Sequence, residues 1–262
     1  PALWAQRCRR SILPATPAAE ELWHLGLDNH RKFFINKKTE NQLIHEALEL
    51  GPWLKTKDPQ PDVFLSAAEL ALVAERKKEW SSYSKTVIGI NTGCSSTIPY
   101  KKLSIEGHIR LIERLYSRFK TPIVLLGGKE DTERNQNIAS SVHFKVPVIQ
   151  SPTVFGLRDG LVSTAACDIV ITGDSLGMHM AIALRKWVVA WFGPTCSHEI
   201  DLFGRGSVVI TSAPCSPCWK NQCTNSPMCF DLVSIDELVA QVSNAPSIQL
   251  KNSENAVFEV AK

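Results

Sequence analysis

Gly173-Asp174-Ser175-Leu176-Gly177-Met178-His179 is a stretch whose residue types and spacing could do chemistry. It follows Ile169-Val170-Ile171, an uncharged β-branched run that reads as a strand buried on both faces. Asp174 or Ser175 stands where a helix N-cap belongs, and Met178, Ala181 and Ile182 recur at helical spacing. The pair could hold a ligand hydroxyl or simply cap the helix. A helix N-terminus in such a loop also favours an anion. His179 lies a little more than one turn beyond Asp174, so it need not share that exposure. A lone histidine in an apolar helix is more often a core residue.

Two earlier loops carry compatible chemistry. Asn91-Thr92-Gly93-Cys94-Ser95-Ser96 follows the strand 86–91. Gly93 lets backbone N–H groups approach an anion, and Ser95, Ser96 and Thr97 add hydroxyl donors. Lys101 and Lys102, just before the next helix, could neutralise a phosphate. The bland alternative is an ordinary βα turn with solvated lysines. Gly127-Gly128-Lys129-Glu130-Asp131-Thr132-Glu133 follows the strand 122–126. A carboxylate there, from Glu130, Asp131 or Glu133, suits a ribose diol because it accepts two hydroxyl protons. The same acids would also complement a helix dipole.

A fourth cluster is of a different kind. Cys215, Cys218, Cys223 and Cys229 crowd into fifteen residues. Four thiolates can complete a tetrahedral zinc or iron site, so a structural metal is the leading expectation. The second pair is not a CxxC, and free thiols or disulfides stay open as alternatives.

The elements that must position these loops alternate regularly. Strands are expected at 86–91, 122–126, 146–149, 169–171, 187–191 and 208–210. Helices are expected at 104–119, 131–141 and 155–167, after Ser175, and at 235–242. Two more helices precede them, at 41–50 and 66–78, the second opened by a Ser66–Glu69 capping box. Strands alternating with helices imply an α/β fold, a Rossmann-like parallel sheet with helices on both faces. The functional loops then gather at the carboxyl ends of the strands, where such sheets bind ligands.

Composition fits a globular chain of 262 residues with 44% hydrophobic and 21% charged side chains. A net charge of +3 is too small to argue a nucleic-acid partner. No apolar run reaches the roughly 18 residues that span a bilayer. The short, proline-rich stretch after Cys8-Arg9-Arg10 does not read as a signal peptide.

Taken together, GINTGCSSTIPYKKLS, VLLGGKEDTE, CDIVITGDSLGMHMAIALRKWVVAWFGPT and CSPCWKNQC resemble glycosyltransferase family 9, the heptosyltransferase-like enzymes. The resemblance runs from about Leu22 to Val242. It implies the GT-B arrangement, two Rossmann-like domains facing across a cleft, with this chain as the C-terminal, donor-binding half. Residues 1–55 would be a remnant of the acceptor domain with a linker helix. Residues 56–84 would lead into the donor domain at 85–243, and 244–262 would be a tail.

Carried over residue by residue, the donor phosphate falls to Lys101, with Lys102 as the neighbour. The ribose falls to Asp131 or Glu133. The Asp-Thr/Ser-Gly-x-x-His motif falls on Asp174, Ser175 and His179. Leu176 stands where the family has glycine, with Gly177 after it, and Leu103-Ser104 replaces the usual Trp-Pro. The resemblance implies transfer of a heptose from ADP-heptose to a lipopolysaccharide core, without a cofactor. The catalytic base would lie in an N-terminal domain outside this chain. The location implied is cytoplasmic, peripheral to the inner membrane. The departures at Leu176 and Leu103 keep a non-catalytic nucleotide-sugar-binding or assembly module in play. A protein-directed glycosyltransferase of the same fold is a further alternative.

Overall fold

A computed structural model describes residues 61–143 and 145–249. The helix expected at 41–50 and the remnant of an acceptor domain lie outside the described residues, as does most of the expected tail. The chain divides into two compact units. One comprises Gln60–Cys196 and Leu202–Lys262 and holds everything below. Of the other, the described part is Ser197–Asp201, with a 3-10 turn at Ser197–Glu199.

Among the described residues, the larger unit has six strands: β1 (Ile88–Asn91), β2 (Ile123–Leu126), β3 (Val148–Gln150), β4 (Ile169–Gly173), β5 (Trp187–Phe192) and β6 (Gly206–Ile210). They form one sheet in the order β3-β2-β1-β4-β5-β6, and every pair is parallel. The order reverses between β1 and β4, which places a crevice above their carboxyl ends. β-branched and leucine side chains explain the central strands: every residue of β2 and β4 is buried.

Among the described residues, six helices accompany the strands. They are α1 (Ala67–Trp80), α2 (Ile105–Phe119), α3 (Thr132–Ser141), α4 (Leu157–Ala166), α5 (Leu176–Ala183) and α6 (Ile235–Val242). On one side α6 packs on α2 and α2 on α3; on the other α1 packs on α4 and α4 on α5. This is the Rossmann-like layering that the alternating pattern implies. The amphipathic stripe of α2 explains its place, since Leu111, Ile112 and Leu115 are fully buried against the sheet. Burying side chains of this kind stabilises the fold by about 1.5–3 kcal/mol each. Ser104 starts α2 by accepting the Gly107 N–H at 3.0 Å, and Lys120 ends it in the left-handed region at φ 50°.

Helix α1 is tied to α4: Arg76 pairs with Asp159 at 2.6 Å and donates to Ser163 Oγ at 2.7 Å. Its capping box is present, with Ser66 and Glu69 bonded reciprocally. Past α6, Ala245 and Ile248 are buried in the main core, so the first residues of the expected tail pack with the domain.

Candidate functional site

At the sheet's switch point lies a cavity of about 750 Å³. Its walls are the loops after β1, β2 and β4, the loop after β3 and the first turns of α4 and α5.

The loop 92–103 joins β1 to α2 and carries Lys101 in a 3-10 turn, Pro99–Lys101. Its position is set by close backbone contact. A Cβ on Gly173 would lie 1.9 Å from the Lys101 carbonyl oxygen, so the loop rests directly on the end of β4. A Cβ on Gly93 would lie 2.0 Å from Asp131 Oδ2, so the loop's other limb rests on the start of α3. Tyr100 braces the turn from outside: its hydroxyl accepts the Cys223 N–H at 3.2 Å and its ring stacks on Phe230. Lys101 Nζ reaches Asp174 Oδ2 at 3.3 Å, and the two side chains are only 15% and 17% exposed.

Helix α5 begins beside that pair. Ser175 is its N-cap residue, yet its side chain does not cap the helix. The Ser175 hydroxyl instead accepts from Asn91 Nδ2 at 2.9 Å and lies 3.2 Å from Thr172 Oγ1. Asn91 Nδ2 also reaches Gly93 O at 3.0 Å and Thr172 Oγ1 at 3.2 Å. A single amide thus ties the ends of β1 and β4 to the start of α5. Gly177 permits this approach, because a Cβ there would lie 2.7 Å from Asn91 Cγ. The first turn of α5 is left without a side-chain cap at the cavity wall, opposite a lysine. Together these supply positive field for an anion.

The acidic side of the cavity comes from the loop after β2. Asp131 is buried, its Oδ2 accepts the Gly128 N–H at 2.9 Å, and burial pushes its carboxyl above the usual range. Glu130 lines the cavity and is exposed. His179 sits at the cavity's edge, exposed on one side and crowded on the other; desolvation there lowers its pKa, against the opposing pull of Asp174.

Of the residues singled out in the sequence, the cavity brings together Gly93, Ser95, Lys101, Asp131, Asp174, Ser175, Gly177 and His179. Ser96, Lys102 and Glu133 do not line it. Ser96 is an exposed loop residue, and Glu133 lies on an exposed face of α3. Of the two lysines, Lys101 and not Lys102 therefore faces the cavity. Asn91, whose strand-end placement was the available signal, was not singled out. Thr153 and Val154, in the loop after β3, also line the cavity and carry no motif that marks them.

The four cysteines lie together at a second place in the fold. They border a second, smaller cavity of about 260 Å³, and all four are free thiols. Among the described residues, no group of three or more His, Cys, Asp or Glu side chains could hold a metal ion. Cys229 is buried against Gly193, and burial followed by the three neighbouring thiols pushes its pKa up to about 11. Asn225 stands between two others, with its backbone N–H 3.5 Å from Cys223 Sγ and its side-chain amide 3.5 Å from Cys215 Sγ. What the segment does do is brace Tyr100 and, through it, the turn that carries Lys101.

Comparison with known proteins follows the same lines. The model of glycosyltransferase family 9 (heptosyltransferase) matches residues 39–229. Lipopolysaccharide heptosyltransferase 1 of Pseudomonas aeruginosa is 32% identical over 118 residues, 45% of this chain and 32% of that protein. Among solved structures, the E. coli ADP-heptose lps heptosyltransferase II superposes with a TM-score of 0.55 at 21% identity. That match covers 74% of this chain and 56% of the other. A family 9 glycosyl transferase of Veillonella parvula gives a TM-score of 0.60 at 18% identity, over 78% of this chain and 59% of the other. The two structures share the fold. This chain therefore spans well under two thirds of the length of these relatives.

Proposed function

The chain belongs to glycosyltransferase family 9, and we propose that it supplies the half of a GT-B enzyme that binds the nucleotide-sugar donor. The donor is ADP-heptose and the acceptor lipopolysaccharide, a reading supported by the names of its relatives. The observation that carries the reading is the pairing of Lys101 with the uncapped start of α5 across one 750 Å³ cavity.

In the transfer, an acceptor oxygen attacks the anomeric carbon, the bond from that carbon to the phosphate oxygen breaks, and the diphosphate leaves with added negative charge. Lys101 and the first N–H groups of α5 stabilise that charge as preorganised donors. Their positive field supports departure without a divalent ion. Lys101 exchanges its Asp174 partner for the diphosphate, which frees the Asp174 carboxylate to accept sugar hydroxyls. Glu130 or Asp131 receives the ribose diol; the exposed carboxylate of Glu130 is the more accessible of the two. No residue of the cavity is assigned as the base that deprotonates the acceptor; that group belongs to the acceptor-side domain of the GT-B pair. Among the described residues no helix is long and apolar enough to cross a membrane.

The test is a calorimetric titration of ADP into Lys101→Ala and Lys102→Ala proteins. A charge-assisted contact is worth about 1.5–3 kcal/mol. Lys101→Ala should therefore raise the ADP dissociation constant about tenfold or more, with Lys102→Ala near wild type. Unchanged affinity for Lys101→Ala would remove the lysine from the donor site.

A further inference from the structure

Arg134 lies outside the cavity wall, one turn beyond Asp131 on α3, and no motif marks it. Its guanidinium nevertheless touches both ends of the loop that carries Lys101. Nε donates to the Thr92 carbonyl at 3.2 Å, where the loop leaves β1. Nη2 donates to the Leu103 carbonyl, where the loop enters α2. The same Nη2 lies 3.2 Å from Nδ1 of His108, whose ring is buried and held neutral, its pKa down to about 3 through burial and then the Arg134 charge. That Nδ1 is also 2.9 Å from the Ser104 carbonyl, so it serves one of the two partners at a time. Thr92 itself is fully buried, with its hydroxyl bonded to Asn135, the residue after Arg134.

Removing a charged side chain partly from water is costly unless it is hydrogen-bonded, and here two main-chain carbonyls accept from the guanidinium. Here the planar fork spans two strands of chain eleven residues apart, which a lysine's single ammonium cannot do. Other contacts hold the middle of the loop: Gly93 on Asp131, Lys101 O on Gly173, and Tyr100 on the Cys223 segment. Arg134 fixes the two ends.

We propose that Arg134 is a positioning residue for donor binding, closing the base of the loop 92–103 through the Thr92 and Leu103 carbonyls so that Lys101 faces the cavity. The inference rests on the donor-site reading above for its functional consequence; the clamp itself does not.

The experiment compares the 262-residue chain with Arg134→Lys and Arg134→Ala, and with Ile138→Val as a control for core loosening in the same helix. Two readouts are taken: amide hydrogen exchange across residues 92–103, and ADP affinity by calorimetry. Arg134→Lys keeps the charge and the helix, so it remains informative if Arg134→Ala fails to fold. We expect Arg134→Lys to speed exchange in the loop tenfold or more and to weaken ADP binding tenfold or more, with Ile138→Val changing neither by more than twofold. Exchange at the wild-type rate in Arg134→Lys overturns the proposal, whatever the affinity does. Faster exchange with unchanged ADP affinity overturns the positioning role. If the wild-type chain itself binds no ADP, the donor reading falls, and with it the functional half of the proposal, while the exchange result still decides the clamp.

Discussion

Replacing Gly173 by alanine would push a methyl group into the backbone that presents Lys101. The added carbon would lie 1.9 Å from the Lys101 carbonyl oxygen, 3.1 Å from its carbonyl carbon and 3.2 Å from Trp191 Cε2. Both nearest atoms are main chain, so no side-chain rotation relieves the clash. The carbonyl must retreat by about 1.5 Å to regain ordinary van der Waals separation. Lys101 Nζ now stands 3.3 Å from Asp174 Oδ2, and a retreat of that size carries the ammonium out of reach. Overpacking of this kind costs about 1–3 kcal/mol. For a folded unit of this size that lowers the melting temperature by roughly 2–4 °C per kcal/mol. The lost charge-assisted contact corresponds to roughly a 10- to 150-fold weaker ADP affinity. Thermal melts and ADP calorimetry on the same preparation read both effects. A Gly173→Ala protein that melts lower yet binds ADP within twofold of wild type would refute the link between loop position and ligand. An unchanged melting temperature would refute the steric reasoning itself.

Two further outcomes follow from buried polar groups. His108 is neutral in the fold with a pKa of about 3, against about 6.5 in an unfolded chain. The unfolded state therefore binds the extra proton as pH falls from 6.5 toward 3, and stability drops with it at up to about 1.4 kcal/mol per pH unit. His108→Gln should reduce the loss between pH 6.5 and 5 by about 2 kcal/mol in denaturant melts, and an identical pH dependence would contradict the assignment. Asn91→Asp removes the protons that bond Gly93 O and Ser175 Oγ. It should cost about 1–3 kcal/mol at neutral pH, measured the same way; full stability would mean that the amide is no hub.

The sheet was legible because its strands are short apolar runs closed by glycine-bearing turns, as in Ile169-Val170-Ile171 before Gly173-Asp174-Ser175. From that pattern the carboxyl-end loops followed, and with them Gly93, Lys101, Asp174 and Gly177. Finer orientation was not legible. A 3-10 turn at Lys129–Asp131 precedes α3, which leaves Glu130 at the cavity, tucks Asp131 beneath the loop and turns Glu133 to solvent. Nothing in residue spacing encodes that turn. The cysteine spacing brings four thiols together in sequence, while the packing of Cys229 into the core and the approach of Asn225 to two of the sulfurs depend on the tertiary fold. Arg134 and Asn91 act through main-chain carbonyls and hydroxyls brought together from distant segments, which a linear motif cannot reveal.

We propose that this cavity holds the nucleotide diphosphate of a sugar donor, and calorimetric titration of the wild-type chain with ADP, GDP and UDP is the measurement to make first. One site per chain is expected, with ADP bound in clear preference to the other two. Binding of none of the three, or binding of ADP that Lys101→Ala leaves unaltered, would contradict it.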